Sequence, residues 1–141
     1  MSMEQSVVMQ RTRMPTTAQI SDKCRALGFD LTLDEADLIE HTGFLPCTLG
    51  GAQTGFEWYA QGLGDGAASD ANIDPAIRKH LEGRDTVVTW RTGSIEAETQ
   101  AAMICAAAMI ELTDGVYFDE YDNIDTTPDR LLAEVREWLN S

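Results

Sequence analysis

The chain has 141 residues and carries 24 Asp and Glu against 10 Lys and Arg, a formal net charge of -14, with 43% hydrophobic residues. That much acid repels nucleic acid and anionic membrane and attracts basic surfaces, while the hydrophobic content is too high for a disordered polyanion. Its three cysteines, Cys24, Cys47 and Cys105, stand far apart without a CxxC or a histidine at ligand spacing, which argues against a disulfide framework, a zinc site or any other metal centre.

The length suits one core, and the expected division is a flexible arm over residues 1–15 followed by a single α+β domain over 16–141. The arm, MSMEQSVVMQRTRMP, is polar and without periodicity, and it holds no apolar stretch of signal-peptide length. The longest apolar run, Ala101 to Ile110, is about half of what a membrane span needs. A cytoplasmic protein with no membrane and no nucleic-acid partner is expected.

After the arm, Ile20, Cys24 and Leu27 recur at helical spacing and Gly28 stops them, predicting a first helix. Thr32 and Glu35 read as a capping box opening a short helix that Gly43 closes. The period then changes. Leu45, Cys47 and Leu49 alternate, Gly50-Gly51 supplies a turn, and Phe56 and Trp58 alternate on the return, so a β-hairpin is predicted. Pro46 cannot donate to a ladder and places its strand at an edge or beside a bulge.

Residues 60–73 have no period and read as the longest loop. Asp74-Pro75 starts a two-turn helix that Gly83 ends. TVVTWR, from Thr86 to Arg91, is the clearest strand. Ser94 reads as the cap of a long central helix whose alanines imply close approach to a sheet, with Glu96 and Glu98 in its first turn. Val116 to Phe118 is a strand, and a last helix starts at Thr127-Pro128 with Leu131, Leu132, Val135, Trp138 and Leu139 as its apolar stripe. The order predicts an α+β fold, a small mixed or antiparallel sheet with helices packed mainly on one face.

No residue set forms a recognisable catalytic constellation, and no cofactor is implied. The densest charge is Asp119, Glu120, Asp122, Asp125 and Asp129 around Tyr121. As an EF-hand it fails, because counting from Asp119 puts Tyr121 at the third position and Ile124 where glycine is needed. Its plain reading is a solvated loop. Its functional reading is a surface for a basic partner, with Asp119, Glu120, Asp122 and Asp125 ringing a Tyr121 anchor and the Gly-Asp loop contributing Asp65, Asp70 and Asp74. The exposed side of the hairpin, with Glu57 and Tyr59, is the second candidate surface.

A small enzyme would need Glu57 or Glu98 as a desolvated base. His41 with Cys47 makes a nucleophilic pair conceivable only with a third, orienting group. Trp58, Trp90, Trp138, Phe44 and Phe56 read as core.

The stretch from Gly43 to Asp119, GFLPCTLGGAQTGFEWY followed by EAETQAAMICAAAMIELTDGVYFD, resembles small acidic bacterial immunity proteins encoded beside secreted toxins. The resemblance implies a non-enzymatic inhibitor that plugs a toxin delivered by a type VI or contact-dependent system. Its partner would be a cognate toxin or effector with a basic surface. An adaptor or chaperone for a secreted effector is the alternative.

Overall fold

The computed structural model describes residues 2–64 and 66–141. Seven strands form one sheet: β1 (Met3–Met9), β2 (Leu31–Leu33), β3 (Thr42–Leu49), β4 (Ala52–Gly62), β5 (Thr86–Thr92), β6 (Val116–Asp119) and β7 (Ile124–Asp125). Their spatial order is β2-β3-β4-β5-β1-β6-β7, and every neighbouring pair is antiparallel. The helices are α1 (Thr17–Ala26), α2 (Pro75–Arg78), α3 (Glu96–Thr113) and α4 (Asp129–Leu139). They pack against the sheet in an α+β fold, as the element order predicts.

The expected flexible arm is instead the middle of the sheet. Strand β1 pairs along its whole length with β5 and over four residues with β6. Val7 and Met9 face the helices while Val8 joins a smaller cluster on the other face with Leu81 and Val116, so Gln5 to Met9 are all buried. A strand covered on both faces has no apolar-polar alternation to betray it. Just before β6, Gly115 lies so close to β1 that an added Cβ would stand 2.5 Å from Val7 Cγ1 and 2.9 Å from the Val8 carbonyl.

The hairpin forms in the expected register, Leu49 opposite Ala52, with Gly50 and Gly51 both at positive φ as a two-residue I′ turn requires. Pro46 does not sit on an edge strand. Its carbonyl accepts from Asp34 N at 3.0 Å on the β2 side, so its missing N–H points there too, just where β2 has ended at Leu33. The expected helix after Thr32 is absent: Leu31–Leu33 is the edge strand β2, with Leu31 and Leu33 turned inward, because inward alternation outweighs the capping signal. Ser21 Oγ fastens this edge to α1, donating to Thr17 O and accepting from Leu33 N.

Helix α3 is the centre of the main core. Every residue from Ala101 to Ile110 is buried, against β1, β4 and β5 on one side and α1 and α4 on others. A helix apolar all round suits only such a position. Beside it Arg136 ties α4 to the chain just after α1, its Nη2 donating to the Leu27 carbonyl and its guanidinium sitting 5.6 Å over the Phe29 ring. Beneath α3, Trp58 and Trp90 pair across β4 and β5 in a T-shape, centroids 5.4 Å apart, and Trp58 Nε1 donates to Leu38 O to hold the 34–41 segment. Helix ends differ from expectation: α3 has Ile95 rather than Ser94 at its N-cap, α4 has Pro128 there, and α2 is a single turn.

Two outcomes follow from the position of β1. Deleting residues 1–10 should abolish cooperative unfolding, because β5 and β6 would each expose a raw edge inside the sheet. Gly115→Ala should destabilise by about 1–3 kcal/mol through overpacking against Val7. Urea melts followed by tryptophan fluorescence check both; a deletion variant that melts like the whole chain would contradict the arrangement.

Candidate functional site

The acidic loop leaves β6 at Asp119, and Asp119 is spent on shaping it. Its Oδ1 accepts from Tyr121 N at 2.9 Å and Asn123 N at 3.2 Å, and its Oδ2 from Asn123 Nδ2 at 3.0 Å. Asp125 is spent as well: Arg130 Nε and Nη2 bond its carboxylate at 3.0 and 2.6 Å, with side-chain exposures of only 29% and 15% for the pair. Arg130 also donates to Glu134 at 2.9 Å and lies 5.6 Å over the Tyr117 ring. What the loop offers outward is Glu120, Asp122 and Tyr121, the last 68% exposed. The composition of the stretch showed its acids but not which of them the fold consumes.

Behind the loop, Gln5 is fully buried opposite Asp119, and its Nε2 has no partner. The Tyr117 hydroxyl lies 2.9 Å from both Gln5 Oε1 and Asp119 Oδ2, two acceptors for one proton. With the Gln5 amide turned over, Nε2 donates to Tyr117 Oη and Tyr117 donates to Asp119, which gives the Tyr117 proton a single acceptor. Burial, and then the Asp119 charge, pushes the Tyr117 hydroxyl far above its ordinary pKa.

Acids of the Gly-Asp loop are similarly local. Asp70 accepts from Asn72 N and Asp74 from Ala76 N, each at 2.9 Å, as turn and helix caps. Asp65 lies outside the described residues. Ile73 and Ile77 of this segment pack on the same outer cluster as Phe118 and Ile124, so the two acidic loops flank one small apolar patch.

Glu57 and Tyr59 stand together on the face of the sheet away from α3. The Tyr59 hydroxyl donates to Glu57 Oε1, which raises its pKa. Register places Phe44, Glu57, Arg91 and Glu4 in one cross-strand row. Glu98 is elsewhere, at the start of α3, where Oε1 accepts from Gly93 N at 3.1 Å. The groove that Glu98 lines does not include Glu57.

Sequence reading missed a groove of about 490 Å³ at the end of the sheet, where the chain passes from β5 into α3, lined by Asp34, Phe44, Pro46, Ile95 and Glu98 among others. Phe44 is not core: it is 55% exposed, and Ile95 is 61% exposed. The alternation of Leu45, Cys47 and Leu49 already puts Phe44 on the opposite face, which is the signal that could have shown its exposure.

The cysteines are free and buried, drawn from α1, β3 and α3 into the main core, and burial pushes the Cys24 and Cys47 thiols up to about 12. His41 Nε2 bonds the Phe44 carbonyl at 2.9 Å. Burial, then Lys79 and Arg84, lowers the pKa of His80. Among the described residues no group of three or more His, Cys, Asp and Glu is placed to hold a metal ion, and no helix is long and apolar enough to cross a membrane.

The thiols carry a pH dependence. Unfolded, they ionise near 9.0; folded, Cys24 and Cys47 keep their protons until about 12. Across that window the unfolded chain binds fewer protons, so stability should be intact below pH 9 and fall as pH rises toward 12. Urea midpoints at pH 8 and pH 10.5 check this, and Cys24→Ala with Cys47→Ala should flatten the slope. In the acidic loop, Asp125→Asn should cost about 1–3 kcal/mol by leaving Arg130 short of its main partner, whereas Asp122→Asn should stay within about 0.5 kcal/mol. Equal effects in the same urea titration would refute the division between structural and exposed acids.

Comparisons with family models, with curated proteins and with solved structures find no match to this chain.

Proposed function

We propose that the protein is an acidic binding protein, an immunity protein that neutralises a basic cognate toxin by occluding its active site. The observation that carries this reading is the surplus of acid over base, 24 against 10, on a chain that also exposes Phe44, Ile95 and Tyr121. Ion pairs among the described residues engage Arg11, Arg25 and Arg130, which leaves most carboxylates to water and to a long-range negative field. Such a field speeds encounter with a basic protein, and exposed apolar side chains supply the anchors that hold it.

The test is co-expression with the product of the neighbouring reading frame. Growth should be rescued, a stoichiometric complex should form, and its association rate should fall about tenfold or more from low to physiological salt while dissociation changes less. An association rate indifferent to salt contradicts electrostatic steering. Release of the neighbour's product in active form would instead identify an adaptor.

A further inference from the structure

We propose that the groove between β3 and the start of α3 is the anchor site for the partner, and that it takes a segment carrying an apolar side chain beside a Lys or Arg. This rests on the reading of the protein as a binder of basic proteins. Apolar walls come from Phe44, Pro46 and Ile95, and two carboxylates, Asp34 and Glu98, face the same space of about 490 Å³ with no Lys or Arg in its lining. Glu98 commits Oε1 to Gly93 N and keeps its other oxygen, while Asp34 is exposed. Anions are disfavoured there, and a cation with an apolar neighbour satisfies both halves of the lining.

Two local features converge on this groove. Ile95 occupies the N-cap of α3 with no side-chain hydrogen bond to the helix, although Ser94 stands next to it and serine is a far better cap. Phe44 lies flat over β4, where an added Cβ on Gly55 would stand 2.4 Å from its Cζ. An aromatic resting on a strand glycine stabilises that strand, and it also arrives at an interface already ordered. Tyr121, the anchor expected from sequence, projects from the β6–β7 turn at the far side of the sheet.

Two capped octapeptides of equal charge test the proposal, (Lys-Gly-Leu-Lys)₂ and (Lys-Gly-Gly-Lys)₂, titrated into the whole protein by fluorescence anisotropy at several salt concentrations. The leucine peptide should bind at least about tenfold more tightly, and Phe44→Ala or Ile95→Ser should each remove most of that preference while Tyr121→Ala keeps it. Ile95→Ser should hold or raise the melting temperature, which separates lost binding from lost folding. Equal binding of the two peptides, or a preference that survives both substitutions, overturns the groove alone if binding remains salt-dependent. If neither peptide binds in a salt-dependent way, the groove and the basic-partner reading fall together.

Discussion

The structure depends on the pairing of β1 between β5 and β6. Those two strands run parallel to each other and are joined by α3, and only an antiparallel strand inserted between them completes the ladder on both sides. The insertion comes from the N-terminus, more than 80 residues away along the chain, as the Ser6–Thr89 and Gln5–Tyr117 side-chain bonds record. Contacts of that separation are formed against a large loop-closure entropy, which makes the sheet all-or-none: the strand that starts the chain cannot be finished until β5, α3 and β6 exist.

Electrostatics follow from this frame. The fold uses a minority of its carboxylates for construction, Asp119 and Asp125 in the β6–α4 connection, Asp70 and Asp74 before α2, and Asp85, whose Oδ1 takes Arg11 N at 2.8 Å where the chain leaves β1. Asp37, Glu57 and Glu98 hold local hydrogen bonds as well, and most of the other described carboxylates are exposed. Acid density along the sequence is therefore a poor map of the contact surface, because the densest stretch spends two of its five acids, Asp119 and Asp125, on the fold.

What was legible in the sequence is what one local rule decides. The Gly50-Gly51 hairpin, the β-branched strand from Thr86 and the alanine-rich helix all appear where period and turn chemistry agree. Strand β1 was not legible, since burial on both faces erases alternation and Gln5 and Ser6 look like surface residues. Nor was β2, where Leu31-Thr32-Leu33 offered alternation and a cap at once and tertiary burial chose the strand. At the candidate site, Tyr121 could be read as exposed from its acidic setting. The groove could not, because Phe44, Pro46 and Ile95 come together only when β3 and the β5–α3 connection are laid side by side.

Native-state hydrogen exchange tests the central claim most directly. If β1 holds the sheet together, the ladder amides of β1 exchange only through global unfolding, with the same free energy and the same denaturant slope as the amides of α3. Protection of α3 combined with fast, sub-global exchange in β1 would contradict the account, since the first strand would then be an addition to the fold rather than its keystone.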